Sequence, residues 1–331
     1  MKTERLYPSL KKIVWGGQRL IGLYSYGGER LTKQFEENRT PSNIAESWVF
    51  SCHKKGRSTV IGGENDGKTL AELLEDAGPE TLGTHYRGGE FPILIKFIDA
   101  KRDLSIQVHP DDAYAGEHHE GQYGKTECWY VLDAEKDAEL IFGLDRELTR
   151  EELAARGGKK EVMEVLRRVK VKRGDFIFIP SKTLHAICKG IYLAEVQQSS
   201  DITYRIYDYD RLDEDGKPRE IQVPDAVAVS NLSPMDVSFQ PMGKEERSEG
   251  YAKTLLTECE YFKVEKIETF GEYRGEADET SFVSLIVTGG EGLYRDADGE
   301  IYLREGDSLF IPANKGAFTV RGNAELLKTT I

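Results

Sequence analysis

Short stretches of alternating apolar and polar residues run through most of this chain. In "LSIQVHPDD", residues 104–112, an apolar residue recurs at every second position, which is the period of a half-buried β-strand. Similar stretches include "AESWVFS", "FPILIKFI", "CWYVLDA", "GDFIFIP", "IYLAEVQQ", "FVSLIVTG" and "FTVRG", and Gly, Asp and Pro separate them. Many short strands joined by frequent turns predict a mainly β protein of the sandwich or barrel type.

Helical patterns are few. "TLAELLEDAG" begins with a capping box from Thr69 to Glu72, and "TREELAARGG" begins with another from Thr149 to Glu152. "KEVMEVLRRV" continues the second pattern, and "VPDAVAVSNL" predicts one or two further turns. Because strands and helices do not alternate along the chain, a doubly wound α/β fold is disfavoured.

An internal repeat divides the chain. Residues 173–187, "RGDFIFIPSKTLHAI", align with residues 305–319, "EGDSLFIPANKGAFT", through a shared Gly, Asp and Pro. Upstream, "ECWYVLDA" (127–134) aligns with "FVSLIVTG" (282–289). The repeat predicts two related β-domains, at residues 1–240 and 241–331. The first would carry N-terminal additions and a helical insertion at about residues 145–168.

Four residues of the first copy form a candidate metal site. Gln107 and His109 lie two apart on one predicted strand, so their side chains share a face. Glu127 begins the next strand, and His185 follows the turn that the two copies of the repeat share. Two imidazoles, one carboxylate and one amide oxygen suit a divalent metal such as Zn²⁺.

The second copy serves as an internal control for this site. Phe282 aligns with Glu127 and Ala317 aligns with His185, whereas the Gly and Pro of the turn persist. Residues needed only for the fold should persist in both copies, so the difference favours a functional role. The competing interpretation is that the histidines are two unrelated, hydrogen-bonded side chains.

A second group of residues is suited to an anionic sugar phosphate. Lys125 lies two residues before Glu127, Lys96 interrupts an apolar strand, and Ser105 shares the predicted face of Gln107. Arg205 follows in "SSDITYRIYDYDR". Lysine and arginine are natural phosphate partners. The alternative is that these cations lie at the surface or pair with nearby acids, such as the aspartates flanking the arginine.

Composition excludes some classes of function and predicts a cellular compartment. The chain has 331 residues, a net charge of −13 and a pI of about 5.1, which argues against binding to nucleic acid or to an anionic membrane. Its four cysteines are widely spaced and predict free thiols in a reducing compartment. No apolar run resembles a signal peptide or a membrane span. We expect a cytoplasmic protein, and the sequence makes no prediction of its oligomeric state.

Two further motifs offer other interpretations. "GGENDGKT" (62–69) matches the phosphate-binding pattern G-x-x-x-x-G-K-T, but it contains two acids and no parallel sheet is predicted to support it. We therefore favour the interpretation that it is a turn followed by a helix N-cap. His118 and His119 lie in the Gly-rich stretch "YAGEHHEGQYG", which predicts a solvated loop between strands.

The motifs together resemble one family. "GDFIFIPSKTLHAI" is similar to the second cupin motif, and "LSIQVHPDD…GKTECWYVL" is similar to the first, with glutamine in place of its leading histidine. With "WGG", "AESW" and "SSDITYRIYDYDRLDEDGKPRE", the likeness extends over nearly the whole chain. The sequence therefore resembles the type I phosphomannose isomerases, zinc-dependent mannose-6-phosphate isomerases, in their short bacterial form.

This resemblance implies two cupin-type jelly-roll domains and interconversion of mannose 6-phosphate and fructose 6-phosphate through an enediol. One zinc ion per chain would be held by Gln107, His109, Glu127 and His185. The residues implied in catalysis or substrate binding are Arg205, Glu195, Lys125, Lys96 and Ser105, with Glu195 the first candidate for proton transfer and Lys125 the alternative. A cupin dioxygenase and a non-catalytic sugar-binding or regulatory cupin remain as other functions.

Overall fold

The computed structural model describes residues 1–35, 39–212 and 216–331. The strands in chain order are β1 (Glu4–Tyr7), β2 (Ser9–Lys11), β3 (Glu46–Phe50), β4 (Thr59–Val60), β5 (Ile93–Ala100), β6 (Ile106–Val108), β7 (Glu127–Ala134), β8 (Glu139–Leu144), β9 (Leu166–Lys170), β10 (Phe176–Ile179), β11 (His185–Ile187), β12 (Ile191–Gln198), β13 (Tyr204–Tyr207), β14 (Glu246–Arg247), β15 (Tyr251–Glu258), β16 (Lys263–Thr269), β17 (Gly271–Ala277), β18 (Val283–Asp296), β19 (Gly299–Arg304), β20 (Ser308–Ile311) and β21 (Gly316–Thr330).

The helices are short and lie mostly in the first half of the chain. The α-helices are α1 (Arg19–Tyr24), α2 (Glu29–Thr32), α3 (Leu70–Ala77), α4 (Asp112–His118), α5 (Arg150–Arg156) and α6 (Val223–Val229). Single-turn 3₁₀ segments occur at Ser25–Gly27 and Pro79–Leu82, and a longer one at Lys160–Val165. In the part of the chain that the structure describes, we find no helix with the length and apolar character needed to cross a membrane.

Two sheets face each other to form the first barrel. One has six strands in the order β10-β7-β12-β5-β3-β2, and the other has five in the order β13-β6-β11-β8-β9. Side chains from both sheets meet in one buried cluster, in which Trp129 and Leu193 of the first sheet pack with Phe142 and Ile187 of the second. This cluster fills one part of the barrel interior, and the polar residues described below occupy another.

Strand β7 shows how both faces of the six-stranded sheet are buried. Its odd-numbered residues, Trp129 and Val131 among them, face the barrel interior. Its even-numbered residues Cys128, Tyr130 and Leu132 belong to a separate apolar cluster that includes Phe282 and Phe310 of the C-terminal region. The period-two alternation therefore places one side chain set in the barrel and the other against the second domain.

The second barrel is built on a ten-stranded sheet that includes strands from the N-terminal region. The main path runs β14-β15-β16-β21-β18-β20-β1-β4, with β17 paired to β21 and β19 paired to β18. Its interior is filled by an apolar cluster that includes Val283, Leu285, Leu309, Phe318 and Val320. The mainly β, two-barrel architecture predicted from the sequence is confirmed.

The repeated turn has the same geometry in both barrels. Gly174 and Gly306 have φ angles of 88° and 89°, a region that glycine tolerates and most residues avoid. The Gly174 amide donates to the carbonyl of Val131 at 2.8 Å, and the Gly306 amide donates to that of Val287 at 2.9 Å. Val131 and Val287 are therefore equivalent positions.

This equivalence corrects the alignment made from the sequence. Ile179 pairs with Glu127 in the first barrel, and Ile311 pairs with Val283 in the second. Val283, not Phe282, therefore occupies the position of Glu127. A shift of one residue moves a side chain to the opposite face of a sheet, and Phe282 indeed packs in the cluster between the barrels.

The alignment of Ala317 with His185 needs a similar correction. Ala317 is exposed, whereas its neighbour Phe318 packs inside the second barrel. His185, in contrast, is 1% exposed. Strand β21 turns Ala317 outward and Phe318 inward, so Ala317 is not the interior counterpart of His185. The predicted contrast between polar residues in the first barrel and apolar residues in the second still holds, because Val283 and Phe318 are apolar.

The predicted capping boxes are confirmed, whereas one helix prediction and one loop prediction are wrong. Thr69 and Glu72 bond reciprocally at the start of α3, and Thr149 and Glu152 do so at the start of α5. "KEVMEVLRRV" instead divides into a 3₁₀ segment and strand β9. The stretch "YAGEHHEGQYG" was expected to form a loop, but its first part lies in α4, whose N-terminus is capped by Asp111.

The G-x-x-x-x-G-K-T stretch is a turn followed by a helix cap. The Gly62 amide donates to Asp66 Oδ1 at 2.6 Å, so a carboxylate already occupies the place of a phosphate. The Lys68 ammonium pairs with Asp76 at 2.8 Å, and Thr69 caps α3. These contacts disfavour the nucleotide-binding interpretation.

Candidate metal centre and active site

A row of four side chains crosses the six-stranded sheet inside the first barrel. Trp48 of β3 pairs with Lys96 of β5, which pairs with Glu195 of β12, which pairs with Trp129 of β7. Directly paired residues on adjacent strands project from the same face. The row therefore places two charged side chains between two indole rings, all facing the opposite sheet.

A second row crosses the five-stranded sheet. Arg205 of β13 pairs with Gln107 of β6, which pairs with His185 of β11. The Trp129 ring meets the His185 ring edge-to-face at 5.4 Å, so the two rows face each other across the barrel. Strand pairing thus gathers residues that are distant in sequence into one buried space.

Three potential metal ligands converge between the rows. His109, Glu127 and His185 each offer one ligand atom, and these atoms lie within 4.8 Å of one another. His185 Nε2 is 3.4 Å from Glu127 Oε1, and His109 Nε2 is 3.7 Å from Glu127 Oε2. Tetrahedral ligands about 2.1 Å from a zinc ion are about 3.4 Å apart, which matches this spacing.

The backbone fixes which nitrogen of each histidine faces the centre. His109 Nδ1 is 2.8 Å from the carbonyl oxygen of Ile202, and His185 Nδ1 is 2.8 Å from that of Thr183. Because a carbonyl can only accept, each Nδ1 carries the proton and each Nε2 carries the lone pair. This is the usual arrangement of histidines that bind metals.

The donor set fits a cation. Glu127 Oε1 and His185 Nε2 are buried without a hydrogen-bond partner among the described residues. Buried polar atoms are rarely left without a partner, and a cation bound between these two atoms would satisfy both. The Lys125 ammonium lies 3.1 Å from His109 Nε2 and 3.0 Å from Glu127 Oε2. A bound metal ion would take that histidine lone pair in its place.

Burial sets the protonation states of this centre. Burial, reinforced by the neighbouring Glu195 carboxylate, raises the pKa of Glu127 to about 7. Burial lowers the pKa of His185 to about 4 and that of His109 well below its usual value. At neutral pH both imidazoles are therefore uncharged and ready to bind a metal, while the carboxylate of Glu127 is partly protonated.

Glu195 lies between two ammonium groups. Its Oε1 atom is 3.1 Å from Lys96 Nζ and 4.0 Å from Lys125 Nζ, and its Oε2 atom accepts a hydrogen bond from Trp129 Nε1 at 3.0 Å. Burial raises the pKa of Glu195, but the two lysines outweigh it and the net shift is downward. The carboxylate is therefore ionised at neutral pH and held in one orientation.

Arg205 forms no ion pair with a described residue, although its sequence surroundings left one open. The nearby Asp201 pairs with Lys55, and Asp208 pairs with Arg219 at 3.1 Å. The Arg205 Nε atom is buried without a hydrogen-bond partner among the described residues. Its guanidinium projects beside Gln107 and is thus available for a ligand.

The remaining predicted residues have different surroundings. Ser105 is 4% exposed, but β6 begins only at the next residue, and Leu104 packs inside the barrel while Ile106 packs outside it. The predicted alternation therefore does not extend back to Ser105. His119 Nε2 forms a hydrogen bond with the Tyr204 hydroxyl.

Four residues inside the first barrel were not predicted from the sequence. Trp48 and Trp129 complete the first row, Glu46 lies 3.7 Å from Lys96, and Gln197 pairs directly with Glu127. The alternation in "IYLAEVQQ" could have identified Gln197, because it lies two residues from Glu195 and so shares its face. The same argument could have identified Trp129, two residues from Glu127, whereas Trp48 carried no comparable pattern.

Two cavities lie away from the candidate metal centre. One, of about 890 Å³, lies between the barrels and is lined by Thr84–Gly88 of the first and Glu258–Lys263 of the second. The other, of about 430 Å³, is lined by residues that include His53 and Leu74. None of these lining residues belongs to the candidate ligand set.

Comparison with known proteins agrees with this geometry. Residues 4–144 match the family described as "Phosphomannose isomerase type I, catalytic domain", and residues 251–331 match "Mannose-6-phosphate isomerase, cupin domain". The chain is 39% identical over 330 residues to mannose-6-phosphate isomerase ManA of Bacillus subtilis, covering 99% of each chain. The chain belongs to the type I phosphomannose isomerase family.

Other members of the type I phosphomannose isomerase family support this assignment. The putative mannose-6-phosphate isomerase YvyI of Bacillus subtilis is 40% identical over 327 residues, or 98% of each chain. The crystal structure of the mannose 6-phosphate isomerase from Bacillus subtilis superimposes with a TM-score of 0.89 at 38% identity, covering 100% of both chains. A zinc-bound mannose 6-phosphate isomerase has a TM-score of 0.72 at 19% identity, which indicates a shared fold.

Proposed function

We propose that this chain is a metal-dependent aldose–ketose isomerase that interconverts mannose 6-phosphate and fructose 6-phosphate through an enediol intermediate. Membership of the type I phosphomannose isomerase family supports this proposal. The observation that carries it is the cluster of His109, Glu127 and His185 beside the ionised carboxylate of Glu195. A metal site and a buried base are the two groups that this reaction requires.

His109, Glu127 and His185 would hold one zinc ion, with the amide oxygen of Gln107 as a fourth ligand. Gln107 supports this role because it pairs directly with His185 on the neighbouring strand. A zinc ion held there would act as a Lewis acid that stabilises negative charge developing on the sugar oxygens at C1 and C2. The carbonyls of Ile202 and Thr183 would keep the two imidazoles in the required orientation.

Glu195 is our first candidate for the group that moves the proton between C2 and C1. It is ionised, and the Trp129 indole holds one of its oxygens while the other faces the two lysines. Lys125 is the alternative, because its ammonium lies within 3.1 Å of His109 and close to Glu127. Either group would act inside a barrel from which water is largely excluded.

The cationic residues and Ser105 would bind the rest of the sugar phosphate. Arg205 would hold a sugar oxygen or assist ring opening, since its guanidinium is without an ion pair among the described residues. Lys96 would hold Glu195 in place and contact substrate, and Ser105 would donate from the segment leading into β6. Removal of the Arg205 charge should therefore weaken substrate binding more than metal binding.

A coupled assay that follows mannose 6-phosphate to fructose 6-phosphate tests the proposal. Protein prepared with zinc should turn over, the same protein after exhaustive chelation should not, and added zinc should restore the rate. A metal-replete protein that leaves mannose 6-phosphate unchanged would refute the proposed activity.

We also propose that residues 1–240 form the catalytic domain, with its helical insertion near 145–168, and that residues 241–331 form a degenerate C-terminal cupin, whose sheet β1 and β4 of the N-terminal region extend. All the proposed site residues precede residue 240, which supports this division. Limited proteolysis should cleave first near residues 241–250. A cytoplasmic location is supported by four free cysteines, and cell fractionation would test it.

A further inference from the structure

Gln197 lies inside the first barrel beside the candidate metal centre. It pairs directly with Glu127 on one side and with Leu94 on the other, and it shares its face with Glu195. Its exposed fraction is 0%. A polar amide in this position is buried next to the reaction centre without being one of the three clustered ligands.

The orientation of the Gln197 amide is fixed by its nitrogen. Nε2 donates to the carbonyl oxygens of Gln198 and Ser200, both at 2.7 Å. A carbonyl cannot donate, so the reversed amide would place its oxygen against two other oxygens. The nitrogen must therefore face the backbone, and Oε1 faces away from it.

The Oε1 atom of Gln197 has no hydrogen-bond partner among the described residues. A buried acceptor left without a donor is costly, and native proteins retain such atoms chiefly where a ligand or water supplies the donor. The neighbouring Glu127 cannot supply one when it binds a metal as an ionised carboxylate. No described residue supplies the donor, so a ligand or water would have to provide it.

We propose that Gln197 Oε1 accepts a hydrogen bond from a hydroxyl group of the bound hexose phosphate, at the C3 or C4 position, and so contributes to sugar specificity. This inference rests on the isomerase function proposed above. A hydroxyl fits because an amide oxygen accepts from O–H groups and repels phosphate oxygens. A site built around such a contact discriminates strongly against sugars that lack the donor.

Gln198 is a matched control in the adjacent position. It is also buried, at 3% exposure, but lies on the opposite face of β12. Its Oε1 atom accepts from the Thr126 amide at 2.8 Å, and its Nε2 atom donates to Asp112 Oδ1 at 2.9 Å. Each end of this amide has a partner within the protein, so neither end depends on a ligand.

The variants Gln197→Met and Gln198→Met separate the two roles. Each loses the hydrogen bonds of one buried amide, so we expect both to unfold at lower temperature than the wild type. Only Gln197→Met should raise KM for mannose 6-phosphate, by about tenfold, while it retains bound zinc at the wild-type level. An unchanged KM in Gln197→Met, or an equal rise in Gln198→Met, would overturn the inference. Loss of zinc from Gln197→Met would also overturn it, because the amide would then belong to the metal site.

Deoxy analogues give a test that does not depend on the folding of a variant. We expect either 3-deoxy- or 4-deoxymannose 6-phosphate to lose about tenfold or more in kcat/KM with the wild type, and little further with Gln197→Met. Analogues that lose the same factor with both proteins would contradict the contact. If the wild type with zinc does not isomerise mannose 6-phosphate itself, the proposed function fails rather than this inference.

Discussion

The interiors of the two barrels differ in their charge. In the first, Lys96, Lys125, Glu127 and Glu195 are all nearly buried between the sheets. In the second, the position of Glu127 is held by Val283, which packs in an apolar cluster with Leu309 and other side chains. Yet the Gly-Asp turn and the strand pairing around it are the same. The fold therefore depends on the shared turn and pattern, and the buried charges serve another purpose.

The comparison also shows how buried charge is tolerated. An isolated buried ion is very unfavourable, so such groups persist when they are paired or bind a metal. In the first barrel the two lysines pair with the two glutamates, and Glu127 Oε1 and His185 Nε2 are placed to bind a cation. At the position of Glu127 the second barrel has Val283, which needs no such compensation and contributes stability through packing.

The largest effect is expected from removing a metal ligand. His185→Ala should abolish zinc binding and lower turnover by about a thousandfold or more, because the Lewis acid is lost. Zinc content per chain and the coupled assay measure both. The matched change in the second barrel, Val283→Ala, should cost about 2 kcal/mol of stability and leave zinc content unchanged. A His185→Ala protein with normal zinc content would contradict the ligand set.

The next effect concerns the proton-transfer group. Glu195→Gln should lower kcat by about 10²- to 10⁴-fold with little loss of zinc, because the amide cannot accept the proton. Glu265→Gln is a suitable control, since Glu265 is a nearly buried glutamate in the second domain that pairs with Lys328 at 3.1 Å. It should lose stability and keep its turnover. Near wild-type kcat in Glu195→Gln would leave Lys125 as the candidate base.

A smaller effect is expected from pH on metal affinity. With its pKa raised to about 7, Glu127 retains a proton at lower pH that zinc must displace. Zinc affinity should therefore fall about tenfold per unit as the pH drops from 7 to 5 and stay level above 7. Competition with a chelating dye at several pH values measures this. Affinity independent of pH between 5 and 7 would show that zinc displaces no proton from Glu127 in this range.

The same raised pKa affects the metal-free protein. Because the pKa of Glu127 is higher in the folded than in the unfolded chain, its contribution to stability is full at low pH and declines as the pH rises from about 4.5 to about 7. His185 acts in the opposite sense, since its pKa is lowered and its contribution is lost as the pH falls from about 6.5 to about 4. The second barrel has no counterpart of Glu127 in this balance.

The smallest effect distinguishes the turns of the two barrels. Lys182 and Asn314 occupy equivalent positions with φ angles of 70° and 58°. Asparagine tolerates this left-handed region better than lysine does, so Asn314→Lys should cost about 1 kcal/mol. Lys182→Asn should be nearly neutral, because relief of strain offsets the loss of an exposed ion pair with Asp111. Chemical denaturation measures both; a larger loss in Lys182→Asn than in Asn314→Lys would contradict this account.

Local patterns in the sequence predicted much of the architecture. The alternation around Gln107 and His109, the capping boxes and the repeated turn are all local features, and each appears in the structure. The alignment of the second barrel was wrong by one residue at Phe282, because two neighbouring apolar residues in "SFVSL" fit either face of a strand that is buried on both sides.

The pairing register of strands that are distant in the sequence could not be predicted. Nothing local indicates that Trp48, Lys96, Glu195 and Trp129 share one row, since four strands from separate regions must pair in the correct register to form it. The helix α4 was missed for a different reason. Its glycine and histidines have weak helix propensity, and the Asp111 cap is what favours it there.

The pairing of β1 with β20 has a consequence for biosynthesis. Residues 4–7 are made about 300 residues before their partner at residues 308–311. Until then β1 has an open edge next to β20's future position, covered on its other side by the two-residue strand β4. Folding of this sheet should therefore be slow, and the unpaired edge of β1 is open to aggregation in the meantime.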